Sequence, residues 1–334
     1  MKNKNITFFI ENDSHYRFVS NLIKGLYKHN NLKIFSLKEL TKEPEFERIE
    51  LVVVNTSKDL TKKMLNLKCD YFFTTTPGLN SPLLPKSKIT PKKERPIYIY
   101  IFHSLVSPNE IYANNSFKYF DYIISPSNIV SKQLKFLISR NTKVLDFGYL
   151  LFDNFKRFQY SEFDDSILIA PSWGDEGISQ NDGLIKNIFD LIEKTTSEAV
   201  FRPHPMDVEK FKTFKYKNLI LDLDLNLKNL NRYKYLITDC SGIALEFFFL
   251  TGRPVLFINV PKKIKRKISN KEKELTFIED EMKFIIGNTI EPSDLSSKSI
   301  YPHIEDYERA NDFIKNICLN KNVVTQIINF EFSK

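Results

Sequence analysis

Short apolar runs alternate with longer amphipathic stretches along almost the whole chain. The apolar runs are rich in Ile, Val, Phe and Tyr, which favour strands, and the stretches between them carry apolar residues at helical spacing. Strands that alternate with helices form βαβ units, which build parallel sheets covered on both faces. The alternation therefore predicts an α/β protein and excludes helical bundles and antiparallel sandwiches.

The first half of the chain predicts one doubly wound sheet. Its first strand, residues 6–10, is followed by a helix over 16–27 whose apolar residues share one face. Further strands are predicted at 32–36, 50–54, 71–74, 97–102 and 121–125.

The periodicity is lost between about residues 150 and 164, and a new strand begins at Ile167. A length of 334 residues suits two domains. We therefore expect a Rossmann-like domain over 1–155 and a second one over 156–334. A tail helix over 304–319 is expected to pack back toward the first domain. The other predicted strands of the second half are 199–202, 219–222, 235–238 and 254–259, with helices at 182–194 and 242–251.

Composition limits the cellular setting. Lys and Arg number 49 and Asp and Glu 41, so the net charge is +8, which suits an anionic partner but falls short of a nucleic-acid-binding chain. Cys69, Cys240 and Cys318 have no paired spacing, so neither disulfides nor a zinc site are expected. The apolar run 6–10 is too short for a signal peptide, and no run reaches the ~18 residues of a membrane helix. We expect a cytoplasmic protein.

Two stretches, 85–95 and 262–273, are rich in lysine. Blocks of like charge are usually solvated loops. They also suit an anionic lipid surface or a phosphate-bearing acceptor, because each basic residue near such a surface contributes about 1 kcal/mol. The stretches are therefore candidates for peripheral association with the inner face of the cell membrane.

Two histidines directly follow predicted strands, one in each half of the chain. His103 follows the strand 97–102, and His204 lies in the sequence RPHP after 199–202. Ligands of open α/β sheets bind beyond the carboxyl ends of the strands, so an interdomain cleft would bring both histidines to one site. The alternative for each is a histidine in a surface loop. His15, soon after the first strand, is a further candidate.

The sequence TDCSG, from Thr238, joins a strand to an apolar helix. A helix N-terminus presents unpaired N–H groups and the positive end of its dipole, so Ser241 and Gly242 are well placed to bind phosphate. Glu246, one turn further on, is placed to accept hydrogen bonds from ribose hydroxyls. The alternative is an ordinary turn with Asp239 or Ser241 as the helix N-cap.

The sequence APSWGDEG, from Ala170, opens the second half. Ser172 is its best candidate for contact with a phosphate or a base. Trp173, the single tryptophan, either stacks on a ligand or is buried at a domain hinge. Asp175 and Glu176 lack the spacing of a cation site. We expect no metal and no cofactor, and activity that survives a chelator.

Taken in order, APSW, RPHP and TDCSG resemble the CDP-glycerol glycerophosphotransferase family of teichoic-acid and capsule synthesis. The stretch YIFHS, residues 100–104, is similar to the position of that family's WHG histidine. The resemblance covers roughly residues 97–260. It implies a GT-B fold, with two Rossmann-like domains facing a cleft, and transfer of an alditol phosphate, glycerol phosphate first, from a CDP-activated donor to a glycan or lipid-linked acceptor.

Carried over by position, the resemblance makes His103 the base that deprotonates the acceptor hydroxyl. It makes His204 the group that stabilises or protonates the departing phosphate. The N-terminal domain would bind the acceptor and the C-terminal domain the donor. The donor's nucleotide and pyrophosphate would contact Ser172, Arg202, Asp239, Ser241, Gly242 and Glu246.

Three positions depart from the family's pattern. Gly174 replaces an arginine, Gly242 the second serine of the turn, and Ser104 the glycine that follows the histidine. The cytosine base thus rests on the resemblance alone. Bacterial sialyl- and Kdo-transferases, GT-B enzymes with CMP-sugar donors, are one alternative. A catalytically silent GT-B-like binding protein is another, although the intact His103 and His204 argue against it.

Overall fold

Two parallel β-sheets with helices between their strands form the protein. Every strand pairing in both sheets is parallel, as the βαβ alternation predicts. The α/β class is therefore confirmed. The architecture comes from a computed structural model that describes residues 1–41, 49–155, 164–174, 177–195, 198–212, 219–223, 227–262, 267–296, 299–317 and 322–333.

Within the described residues, the strands of the first sheet are β1 (Asn5–Ile10), β2 (Asn31–Ser36), β3 (Glu50–Val53), β4 (Tyr71–Thr74), β5 (Ile97–Ile101), β6 (Tyr122–Ile124) and β7 (Lys143–Leu145). They lie in the order β3-β2-β1-β4-β5-β6-β7. The order reverses between β1 and β4, which is where open α/β sheets bind ligands. The helices along this part of the chain are α1 (Asp13–Tyr27), α2 (Ser57–Leu65), α3 (Pro108–Ile111) and α4 (Asn128–Leu134).

The second sheet, as far as the chain is described, consists of β8 (Ser166–Ile169), β9 (Glu198–Phe201), β10 (Leu219–Leu221), β11 (Tyr235–Thr238), β12 (Val255–Ile258) and β13 (Gly287–Ile290). It repeats the same kind of order, β10-β9-β8-β11-β12-β13. Its reversal lies between β8 and β11. The helices are α5 (Asp182–Ile192), α6 (Val208–Lys212), α7 (Ile243–Thr251), α8 (Ile278–Ile285), α9 (Tyr307–Ile317) and α10 (Val323–Asn329).

The predicted strands are all present, with small shifts at their ends, but one edge strand of each sheet, β7 and β13, was not predicted. Their sequences, KVL and GNTI, are short and partly polar. An edge strand is paired on one side only, so it needs no continuous apolar run. The hydrophobic pattern therefore finds the central strands and the opposite edge strands, β3 and β10, and misses these two.

The chain returns to the first sheet at its C-terminus. Helix α9, inside the predicted tail helix, contacts both α4 and α8, while α10, which was not predicted, packs against α1. Val323 and Ile327 of α10 are fully buried in the core of the first sheet. Gly25 of α1 permits this approach, since a Cβ there would lie 2.6 Å from Cδ1 of Ile328. The boundary near residue 155 stays a prediction and adjoins 156–163, outside the described residues.

Hydrogen bonds tie the loop after β5 to the second domain. The Ser107 N–H donates to Glu279 over 2.7 Å, and the Ile278 N–H donates to the Ser107 hydroxyl over 2.9 Å. Asn109 donates to Glu272 over 2.8 Å. Burial raises the pKa of Glu279 to about 7. These contacts set the position of the loop that begins at His103.

The basic stretch 262–273 is partly used inside the protein. Lys262 forms ion pairs with Glu110, at 3.1 Å, and with Asp280, at 2.5 Å. Residues 263–266 lie outside the described residues. Within the described part of the chain, no helix is long and apolar enough to cross a bilayer.

Gly287 gives a direct test of the packing between β12 and β13. A Cβ on this residue would lie 1.8 Å from the carbonyl oxygen of Val255. The clash is with backbone, so no side-chain rotation relieves it and the strands must move apart. We predict that Gly287→Ala lowers the free energy of unfolding by about 2 kcal/mol or more, measured by urea denaturation.

The matched control is Gly183→Ala. The nearest atom to a Cβ on Gly183 is Oδ1 of Asn181, at 3.5 Å. Gly183 lies in the first turn of α5, where alanine is at least as favourable as glycine. The control should therefore be neutral or stabilising, and an equal loss in both variants would contradict the packing argument.

Candidate active site in the interdomain cleft

Three neighbouring strands of the first sheet bring two histidines together. His103 follows β5, and its Nδ1 lies 2.9 Å from the carbonyl oxygen of Thr75, which follows β4. His15 is in the first turn of α1, after β1, and its Nδ1 lies 2.8 Å from the Thr75 hydroxyl. The two imidazoles are stacked, with their centroids 4.5 Å apart. Thr75 thus positions both rings.

The bond to Thr75 fixes the tautomer of His103. A carbonyl only accepts, so Nδ1 of His103 carries the proton and Nε2 presents a lone pair. Burial and, to a smaller extent, the neighbouring His15 lower the pKa of His103 to about 3. Burial, Arg17 and His204 lower the pKa of His15 to about 4. Both rings are therefore neutral at neutral pH, and His103 is able to accept a proton at Nε2.

The opposite tautomer is favoured at His204. The backbone N–H of Met206 donates to Nδ1 of His204 over 3.2 Å, so the imidazole proton of the neutral ring lies on Nε2. The ring centroid lies 5.8 Å from that of Trp173. Because His204 contributes to the low pKa of His15, the two domains bring these imidazoles within electrostatic range. One side of the cleft thus offers an acceptor nitrogen and the other a donor.

Asp239 holds the loop that carries Ser172. The Asp239 carboxylate follows β11 and is fully buried. It accepts the N–H of Ser172 over 2.8 Å and that of Ile178 over 3.3 Å. Burial raises its pKa, and the hydrogen bonds from Ser172 and Ile178 oppose that rise. The predicted donor-binding residues Asp239 and Ser172 are therefore neighbours, and the carboxylate positions the loop.

The turn that opens α7 lies against the first domain. A Cβ on Gly242 would lie 3.5 Å from the backbone nitrogen and 3.6 Å from the carbonyl oxygen of Leu105. Leu105 belongs to the loop that begins at His103. Helix α7 is almost entirely buried behind the turn, from Ala244 onward. The predicted phosphate-binding turn, with Ser241, therefore lies next to the loop that carries the predicted base.

Glu246 of α7 is buried, and its partners lie outside the second sheet. Tyr149, just before the 3₁₀ turn Leu150–Asn154, donates its hydroxyl to Oε1 over 3.0 Å. Nη2 of Arg17, on α1, lies 3.9 Å from Oε2. Burial raises the pKa of Glu246, while Arg17, Tyr149 and Arg202 oppose the rise. The ribose contact expected of Glu246 stays a prediction.

Arg202 is buried in an ion pair. Its Nη2 and Nε donate to the Asp222 carboxylate over 2.6 and 3.1 Å, and the Tyr233 hydroxyl donates to the same oxygen over 2.8 Å. Two residues later comes His204. The pair fixes the start of the RPHP segment, and direct contact between Arg202 and a donor stays a prediction.

Arg17, Thr75 and Tyr149 were not found from the sequence. Thr75 follows a predicted strand, so the rule that found His103 would have identified it too. Arg17 and Tyr149 carry no such signal, because their positions depend on how α1 and the interdomain segment pack. In the described ranges there is no group of three or more His, Cys, Asp or Glu side chains suited to hold a metal ion.

The role of Asp239 is open to a stability test. In Asp239→Asn the amide nitrogen is a donor and replaces one of the two oxygens that accept backbone N–H groups. We predict a loss of about 2 kcal/mol in the free energy of unfolding, because a buried N–H is left unsatisfied. The control, Asp312→Asn, changes an exposed ion pair with Lys315 on α9 and should have little effect. Thermal and urea denaturation of both variants would check this, and equal stabilities would contradict it.

Comparison with known proteins identifies the fold. No protein-family model matches the sequence, and no curated protein matches it. Among solved structures, the chain is similar to a variant of the wall teichoic acid polymerase TagF soaked with CDPG, with 18% identity, a TM-score of 0.60 and coverage of 98% of this chain and 87% of that one.

Two further structures share the architecture. The glycotransferase of kitacinnamycin has 9% identity and a TM-score of 0.55, with 97% of each chain covered. A UDP-N-acetylglucosamine 2-epimerase from Rickettsia bellii has 12% identity and a TM-score of 0.54, with 97% of this chain and 94% of that one covered. Identities this low establish the fold alone. The expected GT-B arrangement of two Rossmann-like domains is thus confirmed.

Proposed function

We propose that the protein transfers an alditol phosphate, glycerol phosphate in the first instance, from a CDP-activated donor to a glycan or lipid-linked acceptor in cell-surface polysaccharide synthesis. The observation that carries this is the close approach of Gly242 to Leu105, which joins the proposed phosphate-binding turn to the loop of His103. The likeness to the TagF variant soaked with CDPG supports the choice of donor. The motifs APSW, RPHP and TDCSG support it independently.

The chemistry follows from the positions of the two imidazoles. The acceptor hydroxyl donates to Nε2 of His103 and attacks the phosphorus of the transferred group. A phosphorus–oxygen bond forms to the acceptor as the bond to the oxygen of the CMP phosphate breaks. The hydroxyl proton passes to His103, and CMP leaves with the electron pair. The Nε2 proton of His204 stabilises the charge that develops on the departing phosphate.

On the donor side, we assign Ser172, Ser241, Gly242 and Glu246 to contact with the nucleotide and its pyrophosphate. The N–H groups at the start of α7 bind the anionic oxygens. Asp239 and Arg202 complete the donor site by holding the segments that carry Ser172 and His204.

The acceptor side is the first domain, around His103. The lysine-rich stretch 85–95 belongs to the same domain, and we propose that it brings the protein to the inner face of the membrane, where a lipid-linked acceptor resides. The acceptor is thus delivered to the domain that holds the base.

A donor panel tests the reaction class. We predict release of CMP from CDP-glycerol or CDP-ribitol in the presence of an acceptor extract, measured by chromatography. CMP-sialic acid, CMP-Kdo and UDP-sugars serve as the comparison donors. Turnover of the CMP-sugars alone would make the protein a glycosyltransferase of that class. No turnover of any donor would favour the silent binding protein.

The base is tested by His103→Ala. Loss of the general base should lower kcat, which corresponds to an activation barrier higher by about 3 to 5 kcal/mol. The affinity for CMP should be unchanged, because His103 lies in the opposite domain. His303→Ala is the control, since His303 is exposed and its backbone N–H is bonded to Asn288 on the edge strand β13 of the second sheet. A His103→Ala variant with near-normal turnover would refute the mechanism.

The pH dependence follows from the two lowered histidine pKa values. His103 and His15 are neutral above about pH 4, so the proton-accepting form persists well below the ordinary histidine range. We predict that kcat/KM stays near its plateau down to about pH 5 and falls only below it. The same shift makes the folded state less stable as pH falls from about 6.5 through these values, since the unfolded chain binds the extra protons. A rate profile with a midpoint near pH 6.5 would contradict the buried, neutral pair.

A further inference from the structure

Arg17 brings a positive charge of the first domain to the donor side of the cleft. It lies on α1 between His15 and Phe18, and its guanidinium carbon sits 4.7 Å from the centre of the Phe18 ring. About a quarter of its side chain is exposed, 27%, whereas the opposing Glu246 side chain is 6% exposed. The charge therefore stands at the border between the buried carboxylate and the open cleft.

Glu246 attracts this guanidinium at ion-pair distance. The distance from Nη2 of Arg17 to Oε2 of Glu246 is 3.9 Å, an ion-pair distance that is longer than a hydrogen bond. The other carboxylate oxygen accepts the Tyr149 hydroxyl. The stacking on Phe18 and the attraction to Glu246 together orient the guanidinium plane.

The same charge acts on both halves of the site. Arg17 contributes to the lowered pKa of His15 and of His103, and it opposes the raised pKa of Glu246. Arg17 is two residues from His15, whose ring stacks on that of the proposed base, and its Nη2 lies 3.9 Å from Glu246, so its charge is near both sides of the site. The transferred phosphate must pass between those two sides.

A partly buried ion pair needs a reason beyond stability. Removing two charges from water costs about as much as their attraction returns, so apolar replacements are often neutral. Phosphoryl transfer, in contrast, gains directly from a fixed cation, because negative charge is spread over the non-bridging oxygens of the transferred group. A guanidinium presents paired donors that match such oxygens.

We propose that Arg17 is a catalytic residue that binds the non-bridging oxygens of the transferred phosphate, with Glu246 orienting its guanidinium. This assignment rests on the proposed phosphotransfer. It also bears on donor choice. A CDP-alditol passes a phosphate to the acceptor, so it needs this cation, whereas a CMP-sugar passes a sugar and leaves its phosphate on CMP.

The test is a cycle of Arg17→Gln, Glu246→Gln and the double variant Arg17→Gln/Glu246→Gln. In Arg17→Gln we expect kcat with CDP-glycerol to fall about 10²-fold, while CMP affinity by calorimetry is unchanged. In the double variant the Glu246 carboxylate is gone, so no buried charge is left without its partner. The double variant therefore separates the role of Arg17 as ion-pair partner of Glu246 from its proposed role as ligand of the phosphate. If Arg17 serves the phosphate, the double variant stays as slow as Arg17→Gln.

Two further variants serve as a control and as a second test of Arg17. Arg140→Gln removes an exposed arginine of the same domain and should keep full activity. Arg17→Lys keeps the charge without the paired donors, so it should fold if Arg17→Gln does not, and its kcat should still fall. Recovery of kcat in the double variant to that of Glu246→Gln, or a normal kcat in Arg17→Gln or Arg17→Lys, would overturn the assignment.

Failure of the proposed function gives a different result. In that case the wild-type protein turns over no CDP-alditol, and the binding of CDP and CMP, measured by calorimetry, tests the role of Arg17. CDP carries a second phosphate where the transferred group would lie, and CMP does not. Weaker binding of CDP but not of CMP by Arg17→Gln would support the phosphate contact, and equal binding of both nucleotides would refute it.

Discussion

The proposed site depends first on the hydrogen bonds of Ser107. Its N–H and hydroxyl are bonded to Glu279 and to the N–H of Ile278, at the start of α8. The loop that begins at His103 is therefore fixed to the second domain as well as to its own sheet. With that loop in place, the turn at Gly242 approaches Leu105, which brings the proposed acceptor and donor sides to one place.

The two histidines of the proposed site differ in the ring nitrogen that carries the proton. Burial keeps His103 neutral, and the Thr75 carbonyl leaves Nε2 as its accepting atom. His204 has its Nδ1 occupied by a backbone N–H, so its Nε2 donates. An anionic donor beside these rings would favour their protonated forms, since an opposite charge raises the pKa of an imidazole. The resting site is thus suited to take up a proton when the donor is bound.

Parts of this site were predictable from the sequence because parallel sheets place functional residues by a simple rule. His103, His204, Ser172 and Ser241 each follow a predicted strand, and the topology gathers the carboxyl ends of those strands at the cleft. Arg17 was not predictable, since its role depends on the rotation of α1 and on a contact with the other domain. The edge strands β7 and β13 and the helix α10 were missed for a related reason, because their stability comes from tertiary packing more than from local pattern.

The central claim is that the two domains together form a phosphotransfer site, and ³¹P NMR of a reaction with CDP-glycerol and an acceptor extract tests it most directly. The account predicts that the two pyrophosphate signals of the donor are replaced by one signal from CMP and one from a new phosphodiester on the acceptor. CMP formation without a new phosphodiester signal, or an unchanged pyrophosphate spectrum, would contradict it.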